Sequence, residues 1–595
     1  MLLRSGLLGL SLILLPSASA APQTAGSLQQ DYLRAQSFQR DGNLTAAAQQ
    51  YRAFLASALT ELAMGYAVVP DYNRAFSLFD DALALKPDSP ALLLDYARTA
   101  LGAGNFPHTR TLASAVLKNP AATPQQLAEA HQLLGRAFLK LTRDQDARRE
   151  FEGAVALDPT FANGYDLAVA CLDLDDEKCA SNIFAEIQRS FGDTAELHFA
   201  FARAYGDSDF QPRAITELHR AIDLNPRLPG EHYLLAALLL ATTNDAAPLE
   251  AAEAELKKEL AIQPNDATSY AALGKIKLTE KIYPEAESFL NKSIALAPTD
   301  PDAFLYLGQL YFETGQPDKA EAALRQSIAL TTDVSRNRFQ VQKAHYLLGR
   351  ILMKQGKPDA AHAEMTISRD LADKTLAQDK TKLAALTDSQ QDATPSSPNT
   401  PNSSSTRDRA AFTRVEAARN RVAPALADSY NNLGAIAATN SDYASAVGFF
   451  KQAALWNPTL DGLDYNWGRA AFAGSLFADA IPPLSRYTHA HPDDTGARNA
   501  LGFSQFMTAD YHAAITTLEP IANNTDLTPQ IAYAYAESLI KTGSLKEGLT
   551  RLTTLEHSHP EIPDVHQALA EAYDLQGNHQ RAQDELTTYN NLKSK

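Results

Sequence analysis

Apolar positions along this chain recur every three or four residues, and the pattern restarts at a fixed interval. Around Gly434, the residues Tyr430, Leu433 and Ala437 fall on one face of a helix, and Ala446, Phe450 and Ala453 on one face of a second. Small residues at Gly434, Gly468, Gly502, Ala536 and Ala570 are spaced by 34. Ala446, Ala480, Ala514, Gly548 and Ala582 follow them by 12, and Phe450, Leu484, Leu518, Leu552 and Leu586 by 16. Gly274 and Gly308 repeat the interval, and "YLGQLYFETGQPDKAEAALRQSIAL" (306–330) is its cleanest copy. Further small positions at Ala35, Ala63, Ala97, Gly135, Ala168, Ala202, Ala236 and Gly349, with spacings from 28 to 41, bring the expected units to fifteen and imply loop insertions.

With the small residue numbered as position 8 of its unit, each unit reads as two antiparallel helices. Positions 8 and 20 take Gly or Ala because the helices cross there, and a larger side chain would wedge them beyond the usual ~8–10 Å. Stretches such as "TGQPDKA" and "TNSDYASA" are the turns between them, and Pro near position 32, as in "LDP" (157–159) and "WNP" (456–458), ends the second helix. One such hairpin cannot bury its apolar face alone, so the expected fold is all-α, a right-handed solenoid of stacked hairpins with a concave groove.

This register resembles the tetratricopeptide repeat family, which places an aromatic residue, Leu-Gly and Tyr on its first helix and Ala, Phe or Leu, Ala and Pro on its second. The resemblance covers nearly all of the chain outside one linker. It implies that the first helices line the groove and that residues near positions 2, 5, 6, 9, 12 and 13 face a bound partner. In the last third these are Asn431, Asn432, Tyr465, Asn466, Arg469, Phe472, Asn499, Phe503 and Phe506. Asn432 and Asn466 hold position 6 in consecutive units, similar to the asparagine ladder of the protein O-GlcNAc transferase family, whose amides bond the backbone of an extended peptide. Two such bonds contribute only ~0.5–1.5 kcal/mol each, so the phenylalanines would have to supply apolar anchoring. The motif "YNNL" occurs twice, but the copy at 589–592 falls at the end of the last helix, where its Asn solvate the terminus.

The array breaks once. "DSQQDATPSSPNTPNSSSTRD" (388–408) is Ser, Thr, Pro and Asn with almost no apolar content and reads as a disordered linker between an array at 24–387 and another at 409–595. At the N-terminus, Arg4, an apolar run from Leu7 to Leu15 and Ala18-Ser19-Ala20 read as a signal peptide over 1–20, which predicts an exported, periplasmic or secreted protein. Loss of Arg4 with that segment takes the formal net charge from −17 to −18, a balance unfavourable to nucleic acid or anionic lipid. No later stretch is apolar enough to span a membrane.

Candidate chemistry is sparse. Cys171 and Cys179 fall at positions 11 and 19, equally far from one hairpin turn, which allows a disulfide in an oxidising compartment and leaves two free core thiols as the alternative. "HAHP" (489–492) and "HSHP" (557–560) occupy equal positions two units apart, too far to share a metal, and read as solvated helix ends. No nucleophile elbow, zincin, phosphate-loop or dinucleotide motif occurs, and the repeats leave no room for a catalytic domain, so no catalytic residue, metal or cofactor is expected. The expectation is a non-enzymatic scaffold binding a protein or extended peptide in its groove. The alternative is an assembly or export component of a cell-envelope machine, associated with membrane proteins.

Overall fold

The computed structural model describes residues 25–242, 246–331, 338–387, 406–523 and 527–594. The expected signal peptide and residues 388–405 of the expected linker lie outside them, whereas 406–408 already belong to the helix Thr406–Thr439. Among the described residues are 29 α-helices and a single 3-10 turn, with no strand. Consecutive helices pair, as Pro301–Glu313 does with Pro317–Leu330 and Thr406–Thr439 with Tyr443–Trp456. The fold is an all-α solenoid of helical hairpins.

The spacing of 16 between the small residue and the following Phe or Leu has a direct geometric cause. A Cβ added to Gly308 would lie 2.6 Å from Leu324 Cγ, one on Gly434 2.6 Å from Phe450 Cε1, and one on Gly135 2.5 Å from Phe151 Cε1. Each glycine therefore receives a large apolar side chain of the partner helix, and that side chain is fully buried: Leu324, Phe450 and Phe151 are all 0% exposed. At position 20 the alanines Ala446, Ala480 and Ala514 are equally buried.

The turn inside each hairpin imposes a second rule. Seven residues after the small position the backbone is left-handed, at Gly42, Gly104, Gly315, Gly356, Gly543 and Gly577, but also at Thr142, Asp175, Asp209, Lys281, Ser441, Ser475 and Ala509. At the next residue in many units, an Asp or Asn caps the second helix; Asp442 accepts from the Ser445 N–H, Asp510 from Ala513 and Asn105 from His108. The short spacing of 28 between Ala35 and Ala63 is the opposite of an insertion. One continuous helix, Leu44–Val68, closes the first hairpin and opens the next with no loop between.

Packing divides the chain into two compact units, but not at the expected boundary. One unit contains the helices from Pro90 to Thr387; the other joins the three N-terminal helices, Ala25–Arg40, Leu44–Val68 and Tyr72–Leu85, to those after Thr406. The expected array at 24–387 thus gives up its first three helices to the array at 409–595. The reason is a side-chain seam between Leu44–Val68 and Thr406–Thr439. Tyr66 Oη donates to Glu416 Oε1 at 2.8 Å, Arg74 NH1 donates to the same oxygen at 2.7 Å, and Val415 packs over Gly65. Tyr32 Oη donates to Asp428 Oδ2 at 2.7 Å.

Within the first unit, Cys171 and Cys179 are disulfide-bonded, with Cα atoms 5.9 Å apart. The bond joins Phe161–Asp173 to Glu177–Phe191 across their turn.

Candidate functional site

In the second unit the first helices of three consecutive hairpins are Leu463–Ala473, Thr495–Met507 and Pro529–Lys541; the first two carry residues nominated for the groove, and the third carries Tyr533. Their aromatic side chains touch in sequence. The ring centroids of Phe472 and Phe503 are 6.0 Å apart at 79°, those of Phe503 and Phe506 6.1 Å, and those of Phe506 and Tyr533 5.9 Å at 87°. Edge-to-face pairs of this kind contribute roughly 0.5–1.5 kcal/mol beyond their buried area. Phe472 and Phe503 are half-buried, one side on the core formed by Leu484, Leu501, Leu518 and Tyr535, while Met507 beside Phe506 is 49% exposed. The result is a ridge across three hairpins that is packed beneath and open above.

Asn499, on the middle helix, has a buried side-chain oxygen with no donor from the chain. A buried carbonyl left unpaired costs ~1–3 kcal/mol, so an incoming N–H gains more here than on an open surface. Arg469 is exposed, donates to Tyr465 Oη at 2.9 Å and lies over that ring at 5.3 Å, and it has no carboxylate partner among the ion pairs of the described residues. At the far end of the ridge, burial raises the Tyr533 hydroxyl well above its ordinary range, helped by the charges of Glu537, Asp564 and Glu571. The ridge therefore runs from a cation to an acidic margin.

The asparagines behave differently from the ladder the repeat resemblance implies. Asn432 Nδ2 donates to Asp428 Oδ2 at 2.9 Å and to Tyr51 Oη at 3.2 Å, and its Oδ1 accepts from Gln39 Nε2 at 3.2 Å. Both of its N–H donors are spent on Asp428 and Tyr51, so it cannot donate to a peptide as a ladder rung does. Asn466 Nδ2 reaches Asn431 Oδ1 at 3.5 Å and does not meet Asn432. Of the nine nominated residues the structure brings Phe472, Phe503 and Phe506 together, holds Arg469 and Tyr465 as a pair, and turns Asn432 inward.

Sequence reasoning missed three members of the ridge. Phe477 is 6.1 Å from Phe472 and 5.8 Å from Phe503, Tyr511 is 6.0 Å from Phe506, and Tyr533 closes the series. A signal existed for all three, since Tyr443, Phe477 and Tyr511 recur at one position of three successive units and Tyr533 holds position 5, as Asn431, Tyr465 and Asn499 do.

Comparison with known proteins agrees with this architecture. A family model described as "Tetratricopeptide repeat" matches residues 277–336, which contain the pair Pro301–Glu313 and Pro317–Leu330. That stretch is similar to the tetratricopeptide repeat family. No curated protein matches it in sequence. Among solved structures, residues 41 to the end of MamA from Desulfovibrio magneticus are 21% identical over 31% of this chain and 97% of that one, with a TM-score of 0.26. PilF of Pseudomonas aeruginosa is 16% identical over 37% and 99%, with a TM-score of 0.27. A tetratricopeptide repeat protein of Parabacteroides merdae is 14% identical over 47% and 93%, with a TM-score of 0.31.

Arrays of this repeat are scaffolds for protein–protein interaction, and the ridge keeps part of its apolar surface, Met507 included, exposed. No helix among the described residues is long and apolar enough to cross a membrane.

Proposed function

We propose that this protein is a non-enzymatic scaffold, exported from a bacterial cell, that binds an extended segment of a protein partner along the aromatic ridge of its second unit. The observation that carries the reading is the unbroken series Phe472, Phe503, Phe506 and Tyr533 beside the undonated carbonyl of Asn499. Rigid aromatics supply large contact area at small entropic cost, and they dominate interface energetics where they sit in packed surroundings. The amide of Asn499 then fixes register by accepting one backbone N–H, and Arg469 at the near end selects a segment carrying a carboxylate there. Micromolar affinity requires about −8 kcal/mol, which the ridge has to reach mainly through buried apolar area, at roughly 25 cal/mol per Å².

The test is selection of peptides from a displayed library on the protein lacking residues 1–20, followed by affinity measurement on variants. Selected segments should carry two or more apolar anchors. Phe506→Ser should weaken them at least tenfold, measured at a temperature where the variant is fully folded, because the change also removes ring contacts with Phe503, Tyr511 and Tyr533. Selection of no segment, or equal affinity for Phe506→Ser and Asn499→Ala, refutes the ridge as the binding face.

A further inference from the structure

In five hairpins a histidine on the first helix meets a glutamate on the second. The pairs are His131–Glu150 at 2.7 Å, His198–Glu217 at 2.5 Å, His232–Glu255 at 2.6 Å, His345–Glu364 at 2.6 Å and His566–Glu585 at 2.7 Å. The last pair differs from the others in what surrounds it. Where other pairs carry extra negative charge, a cation answers it: Arg220 bonds Asp193 beside His198 at 2.5 Å, Lys258 bonds Glu255 at 2.7 Å, and Arg325 lies 3.9 Å from Glu364. At His566 a second carboxylate, Glu556, joins the pair, and no lysine or arginine among the described residues forms an ion pair with either glutamate.

The ring orientation is set. His566 Nε2 lies 2.9 Å from the carbonyl oxygen of Pro560, which can only accept, so this nitrogen carries the proton. Nδ1 then faces the carboxylates, and one ligand atom from each of Glu556, His566 and Glu585 lies within 4.8 Å of the other two. A proton on Nδ1 balances only one of two carboxylates. A divalent cation in its place, with a neutral imidazole, balances both.

We propose that Glu556, His566 Nδ1 and Glu585 form a binding site for a divalent transition-metal ion of the Zn²⁺ type. One nitrogen and two carboxylate oxygens, with water as fourth ligand, suit a tetrahedral ion, and the imidazole ligand favours Zn²⁺ over Mg²⁺ or Ca²⁺. Donor atoms around such an ion at ~2.1 Å stand about 3.4 Å apart. Glu556 is half-buried, and its side chain makes no hydrogen bond or ion pair among the described residues, so a rotamer change brings it in. The Nε2–H to carbonyl bond is the outer-shell contact that orients ligating histidines.

The three ligands come from Leu545–Ser558, Pro563–Leu575 and His579–Lys593. The last of these helices has only Ala582 fully buried, so the ion would clamp it to the two helices before it. The "HSHP" histidines take no part. His557 Nδ1 is 2.6 Å from the Thr553 carbonyl oxygen and His559 Nδ1 is 3.3 Å from Glu561 Oε1, and it is Pro560 of that motif that serves the site.

The experiment is calorimetric titration of the chelator-stripped chain lacking residues 1–20 with ZnCl₂, with MgCl₂ and CaCl₂ as comparisons, and with CoCl₂ for its visible absorption. One Zn²⁺ per chain should bind at this site, and it should raise the unfolding temperature. Glu556→Gln, which leaves the His566–Glu585 pair intact, should weaken Zn²⁺ at least tenfold without altering the metal-free unfolding temperature. The double variant His557→Gln, His559→Gln should bind as the parent does. Zn²⁺ binding no tighter than Mg²⁺, unchanged in Glu556→Gln, or lost in the double histidine variant overturns the assignment.

Discussion

Asn432 and Tyr51 lie 381 positions apart in the chain and are hydrogen-bonded, the amide Nδ2 donating to the phenol oxygen at 3.2 Å. The bond belongs to a seam by which helices before Pro90 complete an array that resumes at Thr406, and it moves Asn432 from the category of ligand contacts to that of structural ones.

Asn432→Ala should therefore destabilise the second unit and leave ligand affinity at the ridge untouched. It removes three hydrogen bonds, to Asp428, Tyr51 and Gln39, at a half-buried place. The expected cost is ~1–2 kcal/mol. Urea unfolding, compared with peptide affinity for the same variant, checks both halves; a stable variant with weakened binding would restore the ladder reading.

Reducing the Cys171–Cys179 bond, or replacing both residues by Ala, should loosen the hairpin formed by Phe161–Asp173 and Glu177–Phe191 and leave the second unit alone. A short closed loop of this kind contributes on the order of 2 kcal/mol through the unfolded chain. Hydrogen exchange resolved by peptide should show faster exchange confined to this hairpin and its immediate neighbours.

Left-handed turns occupied by residues with a Cβ offer stabilising substitutions. Ala509 has φ of +62° and Lys281 +61° at a place where other units use glycine. Ala509→Gly and Lys281→Gly should each stabilise by up to about 1 kcal/mol, the relief of the left-handed penalty less the extra freedom of the unfolded glycine. Gly315→Ala, at +72°, should cost a similar amount. Thermal unfolding that moves in the reverse direction for either set contradicts the turn rule.

Glu231 gives the first unit a pH dependence of definite sign. The residue is 0% exposed, both of its carboxyl oxygens lack a partner, and burial, with the charges of Glu196 and Glu259, pushes its pKa up to about 7 from 4.5. The folded state thus holds the proton more tightly than the unfolded chain does, so stability falls as pH rises from about 4.5 through about 7. Glu231→Gln keeps the shape without the charge and should flatten that part of the profile, with the variant gaining on the parent above pH 7. Parallel unfolding curves at pH 5 and pH 8 for the two proteins would show that Glu231 does not titrate in this window.

Much of the architecture could be read before any coordinates. Gly308 and Leu324 reveal why. Their separation of 16 is a local property of two antiparallel helices and one short turn, so it recurs wherever the same hairpin recurs and becomes visible as a period. Phe472, Phe503 and Phe506 were legible for the same reason, since position within the period implies a face of the helix. Tyr533 holds position 5, as Asn431, Tyr465 and Asn499 do, so its face was legible too; that its ring meets Phe506 of the preceding hairpin was not, because nothing in the period says how far neighbouring rings reach. The His566–Glu585 pair recurs at the same separation of 19 in His131–Glu150, His198–Glu217 and His345–Glu364, a legible signal that a search tuned to apolar positions passes over.

The sequence by itself determined the helical hairpin, its period, its small crossing residues and the location of its turns, because all of these are set by contacts within about 34 residues. Only the tertiary structure decided that Tyr51, Tyr66 and Arg74 pack with residues beyond Thr406, that Asn432 is consumed by that seam, and that Glu556 joins His566 and Glu585. Those arrangements depend on which copies of a nearly identical surface meet. A repeat pattern makes many such pairings equally plausible in local terms, and the choice among them rests on a few side chains whose partners are hundreds of residues, or a whole hairpin, away.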